Sequence, residues 1–100
     1  MVFQVTVSFH PEATAELSVS ADWYAERSPA AARDFCVAVD LAVANIEANP
    51  ERFARIDRRH RAGSVTGLPF QIVFRHDADR IHVVAVAHAK RRPGYWRDRK

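Results

Sequence analysis

The sequence predicts an α+β fold in which a helical hairpin packs on one face of an antiparallel sheet, in the order β-α-α-β-β-β. Two observations support this prediction. After one short alternating segment, the first half carries apolar residues at helical spacing, whereas the second half carries alternating or wholly apolar segments separated by turns. No repeat, low-complexity tract or linker interrupts residues 1–100, so we interpret them as one domain.

The first half predicts one strand and two helices. Apolar and polar residues alternate over 3–9, which is the period of a strand with one buried face. Pro11 suits the first turn of a helix that we expect to run to about residue 26. Ser28 can cap the next helix, Pro29 suits its first position, and Asn49-Pro50 should end it after about Ala48.

The second predicted helix is apolar on more than one side. Its expected core stripe consists of Ala32, Phe35, Val39, Ala42 (or Val43) and Ile46. Further apolar residues lie outside that stripe: Cys36, Val37, Ala38, Leu41 and Ala44. Either the sheet and the first helix cover most of this helix, or a partner does.

The second half predicts a hairpin that ends in a central strand. We expect a short strand or loop around Phe53–Asp57 and a strand or hairpin piece at Ser64–Thr66. Phe70, Ile72 and Phe74 alternate with other residues, and the polar segment 76–80 has the composition of a turn. Residues 81–87 are apolar on both faces, which predicts a strand in the middle of the sheet.

Charge is distributed unevenly along the chain. Residues 1–51 carry a net charge of −6 and residues 52–100 a net charge of +9, within the overall +3. Such polarity indicates an anionic partner, either nucleic acid or an acidic protein segment, or simply a solvated basic surface. The basic residues form two clusters: Arg52, Arg55, Arg58, Arg59 and Arg61, and then Lys90, Arg91, Arg92, Arg97, Arg99 and Lys100.

Several classes of protein are excluded or disfavoured by composition. No apolar run has the length of a membrane helix, and the first residues lack the pattern of a secretory signal, so we expect a cytoplasmic protein. A single cysteine, Cys36, excludes an internal disulfide and is expected to be a small core residue. His82 and His88 share a strand face but lack further ligands, so neither a metal site nor a cofactor is expected.

The segment Val84–Arg99 carries the sharpest signal. An apolar strand runs into His88, then Arg91 and Arg92, Pro93, Tyr95 and Trp96. This ending resembles that of RelE/ParE-type plasmid-stabilisation toxins, the toxins of type II toxin–antitoxin systems. The segment Leu68–Phe74 is also similar to the family's FPY-x-I-x-Y strand, with Leu for Phe at the start and Phe for Tyr twice. The order of elements agrees over nearly the whole chain.

The resemblance implies one of two activities. RelE-like members cut messenger RNA on the ribosome, whereas ParE-like members inhibit DNA gyrase. For a nuclease, His88, Arg91 and Tyr95 would be the catalytic candidates, since RNA cleavage needs an acid, a base and a cation. However, Gln71 stands where some RelE-like enzymes carry a strand arginine, so the ParE-like activity is favoured.

The resemblance also implies a cognate antitoxin that wraps the toxin, with a homodimer or a toxin–antitoxin hetero-oligomer as possible assemblies. Candidate residues for binding the target or the antitoxin are Arg58, Arg59, Arg61, Arg75, Arg91, Arg92, Tyr95 and Trp96. The alternative for Trp96 is that it folds back to cover the sheet or the second helix. Because Tyr95 and Trp96 lie between arginines, a small RNA-binding module that stacks bases is the alternative function outside this family.

Overall fold

The computed structural model describes residues 5–100, and it contains the predicted elements in the predicted order. A three-residue 3-10 turn, Pro50–Arg52, follows the second helix. The strands and helices are β1 (Thr6–Phe9), α1 (Pro11–Ala25), α2 (Pro29–Ala48), β2 (Arg61–Ser64), β3 (Phe70–Asp77) and β4 (Arg80–His88). The part of the first alternating segment before Val5 lies outside the described residues.

Both helices begin at a proline behind a side-chain cap. The Oγ of Ser28, whose backbone is extended, accepts a hydrogen bond from the amide of Ala31 at 2.9 Å, as the sequence indicated. At α1 the cap is the Nδ1 of His10, which accepts from the amide of Glu12 at 3.0 Å. The sequence did not single out His10 because histidine is not among the residues that usually cap helices.

The sheet has the order β1-β4-β3-β2, so β4 is a central strand as predicted. The pairs β2–β3 and β3–β4 are antiparallel, but β1 runs parallel to β4, with Val7 opposite Ile81 and Phe9 opposite Val83. The sheet is therefore mixed. The period-two pattern of β1 is the same for either direction, and the intervening helices and strands leave enough chain for a parallel crossover.

β2 begins upstream of the predicted Ser64–Thr66 piece and shares Ser64 with it, and residues 53–57 form a loop that is joined to β2 by a bridge between Arg55 and Arg61 and by the hydrogen bond from the amide of Ala62 to the carbonyl of Ala54. Gly63 explains the position of the strand. A Cβ on Gly63 would lie 2.8 Å from the ring of Phe53, so the absent side chain makes room for that ring beside the core.

The two faces of the sheet are covered by different parts of the chain. The helices cover one face through a core that includes Phe35, Ile46, Ile72, Phe74 and Ile81. On the opposite face, Trp96 packs with Val73, Val84, Ala85 and Ala87. Burial on both faces is what the wholly apolar composition of β4 predicted.

The side of α2 that turns away from the sheet is exposed. Val37 and Leu41 are 51% and 60% accessible, and Cys36 is exposed as well. The prediction of Cys36 as a core residue is therefore wrong. The core stripe runs through Phe35, Val39 and Ala42, and Cys36 lies about 100° away from Phe35 around the helix.

Neither helix of the described chain has the length and apolar content that crossing a bilayer would require.

Candidate functional site

The C-terminal residues 89–100, here called the tail segment, fold back onto the sheet. Their turn depends on Gly94, whose φ of +76° belongs to the left-handed region, and a Cβ there would collide with the guanidinium of Arg97. Beyond this turn the side chain of Trp96 is 5% exposed. Its indole contacts His60 edge to face, with ring centroids 4.6 Å apart.

Glu16 on α1 holds the tail segment in place. Its carboxylate accepts from the hydroxyl of Tyr95 at 2.5 Å and from two nitrogens of Arg99 at 2.9 and 3.1 Å. Arg91 lies further out, 3.9 Å from the same carboxylate. Because the carboxylate and Arg99 are both mostly shielded from water, these charge-assisted bonds are stronger than those of an exposed pair.

The same two side chains complete the edge of β4. β1 ends opposite Val83, whose carbonyl accepts from the amide of His10 at 2.8 Å. Beyond that point the amide of Val86 donates to Glu16 at 3.1 Å, and the carbonyl of Val84 accepts from Arg99 at 3.0 Å. Side chains thus occupy backbone groups that a longer β1 would have paired.

A second anchor connects the loop before β2 to the tail segment. The carboxylate of Asp57 contacts Nδ1 of His60 at 2.9 Å and Nε of Arg97 at 3.3 Å, and it accepts from the amide of Arg59 at 2.8 Å. Partial burial opposes ionisation of Asp57, but the hydrogen bonds from Arg59, His60 and Arg97 outweigh it and lower its pKa to about 2. His60 is thereby oriented beneath Trp96.

The three catalytic candidates lie at one groove beside the tail segment, and each of them has an internal partner. Nδ1 of His88 accepts from the amide of Lys90 at 3.0 Å. The guanidinium of Arg91 lies 3.9 Å from the centre of the Tyr95 ring. Burial, with the hydrogen bond to Glu16 and its charge, raises the pKa of Tyr95, so this hydroxyl stays protonated and bound.

The predicted binding residues fall into two places instead of one. Arg91, Arg92 and Tyr95 lie at the groove beside the tail segment. Arg58, Arg59, Arg61 and Arg75 line a different groove. We call the latter the arginine groove and define it by Arg55, Arg58, Arg59, Arg61, Arg75 and Arg80.

The prediction of Trp96 as a contact residue is corrected by its burial. The indole covers the face of the sheet that the helices leave open, as the alternative interpretation of the sequence held. Since Trp96 is packed against Val73 and Val84, it does not offer bases a free ring for stacking. Of the two rings on which a base-stacking RNA-binding module depended, Trp96 is therefore occupied by the fold.

Sequence reasoning missed Glu16, Asp57 and His60 as the residues that organise the site. No local pattern marks Glu16, because its hydrogen-bond partners lie 70 to 83 positions away. The spacing of Asp57 and His60 is a weak signal by itself, because a three-residue separation is common in turns. Among residues 5–100 no group of three or more histidines, cysteines or carboxylates could hold a metal ion.

A second surface of the protein is apolar. On α1, Val19 and Trp23 are 69% and 50% exposed, and they lie one helical turn apart. With Tyr24, Pro69 and Phe70 they line a groove that also contains His88 and Lys90. We call it the apolar groove. It places an exposed hydrophobic surface beside cationic residues of the tail segment.

The fold and its anchored tail segment define a small α+β protein of the RelE/ParE toxin type. A solved structure of the chromosomal ParDE TA system from P. aeruginosa matches with a TM-score of 0.75 and 16% identity, covering 89% of this chain and 100% of that chain. At this identity the likeness shows the fold. No curated protein sequence matches the chain.

A family model is more specific. The model for the ParE toxin of the type II toxin–antitoxin system, parDE, matches residues 7–93. The chain belongs to the ParE toxin family.

Proposed function

We propose that this protein is a toxin that inhibits DNA gyrase in the cytoplasm and is neutralised by a cognate antitoxin. The observation that carries the proposal is the ParE family match over residues 7–93. The geometry of the tail segment supports a binding toxin over a ribonuclease. A nuclease needs a free acid or base at neutral pH, whereas the hydroxyl of Tyr95 is kept neutral by burial and donates a hydrogen bond to Glu16.

Gyrase inhibition is tested by adding purified toxin to supercoiling reactions and by inducing it in cells. The expected results are loss of supercoiling in vitro and gyrase-dependent DNA breaks with growth arrest in vivo. His88→Ala is the informative variant, since a binding toxin should retain its activity without this candidate acid or base. Cleavage of mRNA in the ribosomal A site, abolished by Arg91→Ala, would instead establish a RelE-like nuclease.

The antitoxin is proposed to lie in the apolar groove. Val19 and Trp23 supply an exposed hydrophobic surface, and Lys90, Arg91 and Arg92 supply positive charge beside it. An antitoxin segment with apolar residues followed by carboxylates would bury the first and pair with the second. Aromatic and arginine side chains dominate the energy of such interfaces.

Neutralisation is tested with the gene product encoded beside the toxin, by calorimetry and by co-expression. Trp23→Ala should weaken binding by about tenfold or more, because truncating a buried interface tryptophan costs about 2 kcal/mol or more. Leu41→Ala is a matched control, since Leu41 is an exposed apolar residue outside the apolar groove. Equal loss in both variants would move the antitoxin site to α2 or to a surface that spans both helices.

A further inference from the structure

The arginine groove gathers six guanidinium groups from separate parts of the chain. Three come from the loop before β2, and Arg61, Arg75 and Arg80 come from three different strands. Within residues 5–100 none of the six pairs with an aspartate or glutamate side chain. Asp57, the carboxylate in the same loop, is already bound to His60 and Arg97.

Strand register explains how these cations converge. Arg75 on β3 lies opposite His82 on β4, and His82 lies opposite Ser8 on β1. Arg61 lies opposite Phe74, next to Arg75, and is bridged to Arg55. The row of cations therefore extends over β4, β3 and β2 and into the loop before β2, so one extended anion could contact several members at once.

Some of the guanidinium groups in the groove are held in place by backbone oxygens. Arg61 donates to the carbonyl oxygens of Glu51 and Phe53, and Arg75 donates to those of Arg99 and Lys100. These bonds fix both guanidinium groups, and the two acceptors of Arg61 are uncharged peptide oxygens. By contrast, the side chains of Arg58, Arg59 and Arg80 make no hydrogen bond within the described residues and are exposed.

His82 adds a neutral polar group to this row. Its Nδ1 lies 2.7 Å from Oγ of Ser8, and its Nε2 is buried without a hydrogen-bond partner in the described chain. Burial and the positive charges of Arg75 and His10 lower the pKa of His82, so the ring is neutral at pH 7. When Ser8 donates to Nδ1, the remaining ring proton lies on Nε2, which then lacks an acceptor.

Like charges are crowded in the groove. Burial and the nearby charge of Arg59 both lower the pKa of Arg75, so the like charges of the two guanidinium groups repel each other. A bound anion would relieve this repulsion. Binding free energy is therefore available to any polyanion whose charges match the spacing of the row.

The lining of the groove discriminates between kinds of polyanion. Besides the six arginines it contains only His76, Asp77 and His82, so no apolar side chain is available to form the core of a protein interface. Its described lining also lacks the phenylalanine, tyrosine and tryptophan rings on which single-stranded bases most often stack. Arginine forks match phosphate oxygens in a bidentate manner, and interfaces with duplexes are polar and strongly positive.

We propose that the arginine groove binds the phosphodiester backbone of double-stranded nucleic acid without reading its sequence. This goes beyond inhibition of gyrase and does not require it. A link between duplex binding and gyrase inhibition rests on the proposed function. If the toxin inhibits gyrase, the groove would let the toxin bind the DNA that gyrase holds.

The test uses toxin made by cell-free synthesis and a labelled DNA duplex of about 20 base pairs, followed by fluorescence anisotropy. Binding should weaken steeply with salt, by about one power of the salt concentration per phosphate contacted. Arg58→Gln with Arg59→Gln should weaken binding by about tenfold or more and reduce the salt slope by about two. Both side chains are exposed and unbonded, so the fold should persist, and circular dichroism verifies this.

The matched control is Arg33→Gln with Arg52→Gln, which removes the same charge outside the groove. It should change the affinity less than about twofold. Equal weakening in both double variants would show attraction by net charge alone and would overturn the proposal. So would a lack of duplex binding, or tight binding of a glutamate-rich peptide without duplex binding, which would indicate an acidic protein partner.

The same titration with duplex RNA of equal length shows whether the groove binds DNA or RNA more tightly. Saturable binding of either duplex supports the proposal. Growth arrest and supercoiling are measured separately on the same variants. Duplex binding without toxicity would reject the proposed function alone. Toxicity without duplex binding would reject this inference alone.

Discussion

At the scale of single residues, several of the hydrogen bonds that stabilise the tail segment are made to the carboxylate of Glu16. It accepts four hydrogen bonds, from Val86, from Tyr95 and twice from Arg99. A shielded carboxylate with this many donors is stable only while they remain, because an unpaired buried charge is costly. Substitution of its hydrogen-bond donors should therefore lower the free energy of unfolding by more than is usual for residues near an exposed chain end.

Tyr95→Phe should lower the free energy of unfolding by about 1.5 to 3 kcal/mol, because it removes a hydrogen bond to a charged acceptor. Denaturant titration measures the change. Tyr24→Phe is the control, since within the described residues the Tyr24 hydroxyl makes no side-chain hydrogen bond and its ring stacks on Phe35. A loss of stability equal to that of the control would contradict the role of the hydrogen bond.

Asp57 should confer acid sensitivity on the fold. Its pKa is lowered from 3.8 to about 2 in the folded state, so its contribution is complete above pH 3.8 and is lost as the pH falls towards 2. Asp57→Asn should therefore be less stable than the parent at neutral pH, and the difference should shrink across this interval. Thermal unfolding of both proteins at a series of pH values measures it, and a constant difference would refute the assignment.

At the scale of elements, the tail segment behaves as part of the sheet. Glu16 and Arg99 pair with β4 where β1 stops, and Trp96 covers the face that lacks helices. This arrangement depends on the turn at Gly94, where a side chain would be strained and would also collide with Arg97. Trp96 can therefore cover this face of β4 only because the chain turns at Gly94.

Gly94→Ala should destabilise the protein by about 1 to 3 kcal/mol, because alanine is strained at a φ of +76°, and any further loss measures how far the guanidinium of Arg97 resists moving aside. Gly67→Ala is the matched control, because Gly67 has a similar φ of +79° but nothing within 4 Å of an added Cβ. Denaturant unfolding followed by tryptophan fluorescence reports the difference, since Trp96 is buried whereas Trp23 is exposed. Equal destabilisation by the two substitutions would mean that Arg97 moves aside freely.

At the scale of the whole molecule, charge is separated between surfaces. The arginine groove concentrates unpaired cations, whereas the carboxylates of Glu16 and Asp57 are occupied by the tail segment. Repulsion within such a surface destabilises the folded state, and exposed charges are screened by salt more effectively than shielded pairs.

Raising sodium chloride from about 20 to about 200 mM should therefore raise the melting temperature of the free toxin. The double variant Arg58→Gln with Arg59→Gln should melt higher at low salt and respond less to added salt. Differential scanning calorimetry at both salt concentrations measures this. A melting temperature that falls with salt would show that ion pairs such as Glu16–Arg99 outweigh the repulsion.

The sequence by itself determined the order of elements, both helix starts, the central position of β4 and the family resemblance. These features depend on local rules: the period of apolar residues, proline and serine at helix starts, and a strand apolar on both faces. The sequence also marked a second apolar side of α2, but it left open whether the sheet and α1 or a partner covers that side.

Only the tertiary structure decided how distant residues meet. The parallel pairing of β1, the role of Glu16 and the burial of Trp96 involve partners tens of positions apart, for which periodicity gives no signal. The division of the basic residues between the tail segment and the arginine groove has the same origin. Local patterns fix which face a residue occupies, but the register between strands and the path of the tail fix which side chains share that face.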